Sequence, residues 1–299
     1  MKRQLENGSW DDGAFESPEN HTLATMALCE AYGLSGNREV KLAAQAALDF
    51  LVAAQKRNES GAPWGFGLGS LQDLEDRRAR GALDDESFLA ARASVDLSIT
   101  CWVVMALKSA QTCGFQVPEE TLRGALDYGI AATQEADAPA LLRIDGAGEK
   151  DGFAAHPRVP ALGMLIRSFV AQDISDPYLE SSADALAADV PEIGKEGRSV
   201  DFYYWYFATL ALNQFDGPDS PRKGAGSQWS AWEKGLTKAL LPLQDRSKAR
   251  DACSRGGWLQ EARGNQKGRA LYNTAMNVLT LEVYYRYANV FGSALRGSK

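Results

Sequence analysis

An internal repeat is the feature that most constrains the fold of this chain of 299 residues. Residues 94–107 open with Ser-Val-Asp and close with Ala-Leu, and residues 199–212 do the same at an offset of 105. Three further segments have the same apolar texture with interleaved small residues: 21–32, 159–172 and 270–287. In each segment, apolar residues would occupy nearly every side of a helix. We therefore predict that these helices are buried and do not lie on the surface.

Amphipathic segments alternate with the buried ones. The first covers residues 38–55, with apolar side chains near helical spacing at Leu42, Ala46, Phe50 and Ala53. Similar segments follow at 118–134, 228–244 and, more weakly, 177–189. Convincing period-2 alternation is lacking, so the sequence predicts few strands.

A buried helix followed by an amphipathic one, repeated about five times, predicts an all-α fold. Two concentric helix layers that close on themselves satisfy this pattern. We therefore predict an α/α toroid of five to six helical hairpins, in which residues 1–299 form a single domain.

Three segments break the alternation, and we predict loop insertions there: about 57–93, 135–157 and 216–227. The first contains a glycine-rich part at 61–69 and a charged part at 73–85. The charged part is typical of a solvated surface segment, with a lid over one face of the ring as the functional alternative. Such loops often carry function.

The amphipathic helices share an ending in Gln, Gly and Trp. Gln4 is followed by Gly8 and Trp10, Gln55 by Gly61 and Trp64, and Gln244 by Gly257 and Trp258, while Gln134 has only a degenerate echo in Gly152 and Phe153. A glutamine at a helix end can donate to the backbone of the next turn, which glycine permits. The tryptophan would then fill the seam between neighbouring repeats.

This ending resembles the QW repeat of squalene cyclases and related terpenoid cyclases, whose fold is shared with protein prenyltransferase β subunits. Residues 272–287 are also similar to bacterial proteins named for prenyltransferase and squalene oxidase repeats. The resemblance covers essentially the whole chain. It implies a toroid whose central cavity binds an isoprenoid or another apolar ligand. No helix precedes Gln4 in this sequence, so we expect a sixth outer helix to be missing, swapped or supplied by the C-terminal tail.

The acid motif of these cyclases is degenerate here. The family protonates its substrate with Asp-x-Asp-Asp-Thr-Ala at the start of an inner helix. Alignment on Thr100 places Asp96 on the first acid, Ser98 on the proton donor and Ile99 on the third carboxylate. A serine cannot protonate an alkene, so we expect no ordinary squalene cyclisation.

The zinc site of protein prenyltransferases is degenerate as well. The resemblance places Asp251 and Cys253 on its Asp-x-Cys element, but Asn273 occupies the position of the histidine ligand. Zinc requires three or four good N, S or O ligands, and asparagine is a poor substitute. Only His21 or His156 could complete the site. We therefore predict no metal and no cofactor.

Two pairs of polar residues are candidates for chemistry or ligand contact. His21 and His156, the only histidines, each open a buried segment and could bind a ligand or satisfy backbone amides at a helix start. Asp96 and Asp201 are equivalent in the repeat. As catalytic residues they would indicate a carbohydrate-active hydrolase or lyase, and otherwise they are helix N-caps.

Residues 202–207 are six consecutive aromatic residues in one predicted inner helix. Their rings point to all sides of this helix, so some must pack outward while others face the lumen. Lumen rings could bind a ligand by stacking or cation–π attraction, or they could simply fill the core. The complete set of predicted ligand contacts is His21, Trp102, His156, Tyr203, Tyr204, Trp205, Tyr206, Tyr272 and Asn273. Trp258 could extend the cavity wall.

Composition and charge limit the classes of partner that the chain can bind. The net charge is −7 and no dense Lys/Arg stripe is present, which argues against nucleic-acid binding. No run reaches the ~18 apolar residues of a membrane span, and the start lacks the apolar core of a signal peptide. We thus expect no transmembrane segment and no signal peptide, and we favour a cytoplasmic location. The remaining partners are an apolar small molecule or lipid, or a protein bound at a ring face by a non-catalytic scaffold.

Overall fold

The computed structural model describes residues 4–10, 18–58, 60–67, 78–82, 84–85, 95–134, 158–193, 200–222, 226–247, 253–259, 269–286 and 290. Across these ranges the protein is all-α, as predicted, and its β structure is limited to isolated bridges. The chain divides into two compact units, one comprising Met1–Asp145 with Phe169–Ala171 and the other Gly146–Ser168 with Gln172–Lys299.

In the described ranges, the first unit has the helices α1 (Pro18–Ser35), α2 (Arg38–Ala53), α3 (Leu97–Thr112) and α4 (Glu119–Gln134). Helix α1 packs against α2 and α3, and α4 packs against α3. Every residue from Leu97 to Leu107 is buried, which confirms the prediction of a helix enclosed on most sides.

Helix α2 buries a different face from the one that its spacing predicted. Leu42 is 63% exposed, and Ala53 is also exposed. The buried residues of this helix are Ala43, Ala44, Ala47, Leu48 and Leu51. Small side chains predominate on this face, which allows α2 to approach its neighbours closely. The predicted face was one register away from the face that packing buries, which is flatter because it is rich in alanine.

The second unit contains most of α5 (Arg158–Val170), α6 (Pro177–Ala188), α7 (Phe202–Asp216), α8 (Ser227–Leu240) with a 3₁₀ turn at Leu241–Leu243, and α9 (Arg269–Arg286). Helix α7 packs against α6, α8 and α9, and α8 also contacts α6. Almost all of α7 is buried, as its apolar sequence predicted. None of the helices in the described ranges has the length and apolarity needed to cross a membrane.

The predicted insertions are covered unevenly. Residues 135–157 lie outside the described ranges, as does most of 57–93. The segment predicted at 216–227 lies between the end of α7 at Asp216 and the start of α8 at Ser227.

The three Gln–Gly–Trp motifs adopt related local structures. Each closes a turn with an isolated antiparallel bridge: Gln4 to Trp10, Arg57 to Pro63, and Gln244 to Trp258. The glutamine Nε2 donates to a carbonyl oxygen within the motif: Gln4 to Gly8 at 3.1 Å, Gln55 to Trp64 at 2.7 Å and Gln244 to Gly256 at 3.0 Å. This confirms the predicted role of the glutamine.

One glycine assignment was wrong. In the third motif the glycine with positive φ is Gly256, at 87°, and not Gly257. Gly8 and Gly61 hold the corresponding positions in the other motifs, at 86° and 81°. Glycine adopts this left-handed region without the steric penalty that a side chain brings, so it suits the turn.

Two of the motifs also reach the next amphipathic helix of the first unit. Gln4 Nε2 donates to the Ala43 carbonyl oxygen in α2 at 2.9 Å. Gln55 Nε2 donates to the Thr121 carbonyl oxygen in α4 at 2.8 Å, and the ring of Trp64 lies edge-on to Tyr128 of the same helix. In these two places a single side chain therefore closes a turn and joins it to the next helix.

Candidate functional site

Asp96 forms the N-cap of α3. Its backbone is extended, and its carboxylate accepts a hydrogen bond from the Ile99 amide at 2.9 Å. The Thr100 hydroxyl donates to the Asp96 carbonyl oxygen and accepts from the Phe66 amide, which ties this cap to the loop before α3. The side chain is buried. Its catalytic role stays a prediction, while its capping role is visible.

The two positions that align with further cyclase acids are also buried. Ser98 Oγ has no hydrogen-bond partner in the described part of the chain, and Ile99 packs in the core. On α4, burial raises the pKa of the Tyr128 phenol well above its usual range, and the negative charge of Asp96 raises it further. The surroundings of Asp96 therefore contain a phenol that stays protonated at neutral pH.

Asp201 caps α7 in the same way and also forms an ion pair. Its carboxylate accepts from the Tyr204 amide at 2.9 Å, as Asp96 does from Ile99. Its Oδ2 also accepts from two atoms of Arg158, Nε at 3.0 Å and Nη2 at 2.7 Å, and both side chains are buried. The repeat-equivalent aspartates thus share a capping geometry.

Sequence reasoning missed Arg158. Its guanidinium carbon lies 4.9 Å from the centre of the Tyr203 ring, so the arginine contacts both Asp201 and an aromatic residue of the predicted ligand set. The sequence did contain a sign that Arg158 is buried, because this residue directly precedes an apolar run. A charged side chain that is buried in a core requires an oppositely charged or hydrogen-bonding partner there. The partner could not be identified, since Asp201 lies 43 residues away.

The aromatic run on α7 is mostly used in packing. The rings of Tyr204, Trp205 and Tyr206 are almost completely buried. Tyr204 packs edge-on against Trp232 of α8, and its hydroxyl donates to the Asp189 carbonyl oxygen at 3.4 Å. Tyr203 remains partly exposed. Of the four predicted ligand contacts in this run, Tyr203 is therefore the best placed to meet a ligand.

His21 is held inside the first unit. Its Nε2 lies 3.0 Å from the Ala47 carbonyl oxygen, to which it donates in the tautomer protonated at that nitrogen. Its ring also packs against Phe50. Burial lowers the pKa of His21 and outweighs the opposite effect of the Ala47 hydrogen bond. Trp102 is buried in α3, and His156 lies outside the described residues.

Helix α9 has two contrasting sides. Asn273, Asn277 and Thr280 are fully buried polar residues, and both amide atoms of Asn277 lack a hydrogen-bond partner among the described residues. Elsewhere on the helix, four large apolar side chains are exposed: Leu271, Tyr272, Val278 and Tyr285. Tyr272 is 40% exposed, whereas its predicted co-ligand Asn273 is inaccessible.

The remaining prediction concerns the zinc ligands. Cys253 is exposed and Asp251 falls outside the described ranges, so the zinc prediction stays a prediction. Within those ranges no three His, Cys, Asp or Glu side chains are grouped to hold a metal ion. Two open grooves of about 540 and 590 Å³ meet at Pro118 in the first unit, and no predicted site residue lines either of them.

Protein-family models, curated proteins and solved structures give no significant match to this chain. The function must therefore be inferred from its residues and their geometry.

Proposed function

We propose that this chain is an α/α toroid of the terpenoid cyclase and protein prenyltransferase type that binds an isoprenoid or similar apolar ligand without cyclising it. The observation that carries the proposal is the structural use of both candidate acids. Asp96 caps α3, while Asp201 caps α7 and pairs with Arg158. Because each carboxylate already serves a structural contact, neither is well suited to deliver a proton to an alkene.

The toroid is supported by the motif contacts of the first unit. Gln4 connects its turn to α2, and Gln55 connects its turn to α4. A stack of helical hairpins needs such links between successive repeats. The enclosed helices α3 and α7 match the inner layer of this architecture, and the amphipathic α2 and α8 match the outer one.

An apolar ligand is supported by the aromatic side chains that packing leaves accessible. Tyr203 and Tyr272 belong to the predicted ligand set, lie on the neighbouring helices α7 and α9, and remain partly exposed. Aromatic rings bind isoprenoid chains through apolar contact. The carbohydrate-active alternative is less well supported, because a glycosidase pair requires two carboxylates that are free to exchange protons, and Asp201 is engaged by Arg158.

The test separates binding from chemistry. Purified protein is incubated with squalene and extracted for mass spectrometry, and we expect no polycyclic product. Equilibrium dialysis with tritiated farnesol should show saturable binding, weakened about fivefold or more by Tyr203→Ala or Tyr272→Ala, which corresponds to about 1 kcal/mol per ring. Tyr32→Ala is the matched control, since Tyr32 is a partly exposed tyrosine of α1 outside the predicted set.

Two results would overturn the proposal. Cyclised products that disappear in Asp96→Asn would show that one capped carboxylate suffices for catalysis. Absence of saturable farnesol binding would remove the ligand hypothesis. A non-catalytic scaffold would then be the better interpretation, and the exposed apolar side chains of α9 favour it independently.

A further inference from the structure

One side of α9 presents a row of mostly apolar side chains to solvent. Leu271 is 80% exposed, Val278 is 42% exposed and Tyr285 is 90% exposed. Ala275 is also exposed and Glu282 is partly exposed. We call these five residues the α9 row. Apolar side chains scattered singly over a surface need no explanation, but a continuous row along one helix marks an interaction site.

The spacing of the α9 row favours a helix as its partner. Successive members are separated by four, three, four and three residues. This alternation keeps side chains on one face of a helix and forms the seam of two paired helices. A compact ligand would need only part of such a row, whereas a second helix uses its full length.

We propose that the α9 row packs antiparallel against the α9 row of a second copy of this chain. The row is symmetric about Val278, since Leu271 and Tyr285 lie seven residues to either side. A two-fold axis through Val278 brings Leu271 next to the partner's Tyr285 and Val278 next to the partner's Val278. Two-fold interfaces require a surface that is complementary to itself.

The charge in the α9 row favours the antiparallel arrangement. Parallel helices would place the two Glu282 carboxylates at the same level. Antiparallel pairing about Val278 places Glu282 at the level of the partner's Thr274, about 12 Å along the axis from the partner's Glu282. At this distance salt screens most of their repulsion.

The area available is sufficient for a reversible dimer. With ordinary residue areas, the five residues of the α9 row expose roughly 500 Å² per copy, or about 1,000 Å² for two copies. Specific interfaces begin near this size. We therefore expect a dimer in the micromolar range that forms as the protein concentration rises, and this inference does not depend on ligand binding.

The experiment is analytical ultracentrifugation of the full chain over a range of concentrations. Wild-type protein should shift from one chain mass to two. Val278→Asp and Val278→Lys should each stay monomeric, because like charges would meet at the axis. An equimolar mixture of the two variants should form a dimer again, since opposite charges then meet there. Leu42→Asp, a charge placed on an exposed leucine of α2, should leave the dimer unchanged.

Circular dichroism of each variant checks that it is folded. If the Val278 variants unfold, Tyr285→Ser and Leu271→Ser provide the same test at more exposed positions. Wild-type protein that stays monomeric at every concentration would overturn the inference, as would a dimer that survives both folded charge variants. Folded charge variants that lose farnesol binding while the wild type is monomeric would instead assign the α9 row to the ligand.

Discussion

The side-chain amide of Gln55, just after α2, donates a hydrogen bond of 2.8 Å to the carbonyl oxygen of Thr121 in the first turn of α4. The same Nε2 atom donates to the Trp64 carbonyl oxygen at 2.7 Å. Glutamine is suited to this position because its amide nitrogen carries two hydrogens on a flexible side chain. One residue thereby joins a local turn to a helix 66 residues away.

Gln55→Glu should destabilise the first unit by about 2 kcal/mol or more. Both hydrogen bonds are lost, each worth about 1 kcal/mol, and a carboxylate that cannot donate then faces two carbonyl oxygens. Urea unfolding measures the change. Gln116→Glu, at an exposed glutamine before α4, is the matched control and should be nearly neutral. Equal effects of the two substitutions would show that the Gln55 contacts contribute little.

Gly8→Ala should destabilise the protein more than Gly61→Ala. Both glycines have positive φ, so each alanine incurs the left-handed penalty of about 1–2 kcal/mol. At Gly8 the new Cβ would also lie 2.0 Å from the Ala46 carbonyl oxygen, whereas at Gly61 nothing lies within 4 Å. The difference between the two midpoints in urea isolates the close contact with α2. Identical midpoints would contradict this packing.

Arg158→Met should destabilise the second unit by about 3–5 kcal/mol, because it leaves the Asp201 carboxylate buried without its ion-pair partner. The double variant Arg158→Met with Asp201→Asn should regain most of this loss. An asparagine at 201 still caps α7 and carries no charge. Both variants are compared with the wild type by urea unfolding. If Arg158→Met alone lowered the free energy of unfolding by less than the double variant does, the result would be inconsistent with a buried ion pair.

His21 should make the protein less stable as the pH falls below its ordinary pKa of about 6.5. Burial lowers the pKa of His21 in the folded protein, so below this pH the unfolded chain binds a proton that the folded chain does not. The free energy of unfolding should then fall by up to about 1.4 kcal/mol per pH unit until the folded pKa is reached. His21→Gln removes this group, so its urea midpoints between pH 5 and pH 7.5 should vary less than those of the wild type. Parallel curves would show that His21 titrates normally in the folded state.

Asn277→Leu should leave stability unchanged or raise it. Both amide atoms are buried without a partner among the described residues, and a buried polar group that makes no hydrogen bond costs about 1–3 kcal/mol. Asn273→Leu is the matched comparison on the same helix and should be destabilising, because the buried Asn273 side chain has an interaction partner. Thermal unfolding distinguishes the two. A lower midpoint for Asn277→Leu would indicate that a bound water or ligand satisfies its amide.

The sequence determined the features that depend on neighbours within a few residues. Apolar residues on all sides of 97–107 required an enclosed helix, and the structure buries every one of them. The aspartates at 96 and 201 cap helices through amides only three residues away. The glutamine that donates into its own turn is equally local, and so are the turn glycines Gly8 and Gly61, although in the third motif spacing pointed to Gly257 where the turn uses Gly256.

Only the tertiary structure decided the contacts made over long stretches of chain. Arg158 directly precedes an apolar run, but Asp201 lies 43 positions away, and nothing in the sequence shows that these two side chains pair. The buried face of α2 was decided by close packing of alanines and leucines, and spacing alone did not distinguish it from the face that carries Leu42. The apolar pattern of 270–287 predicted an enclosed helix, yet the α9 row remains exposed. Burial of a side chain depends on which helices surround it, and that arrangement is a property of the whole fold.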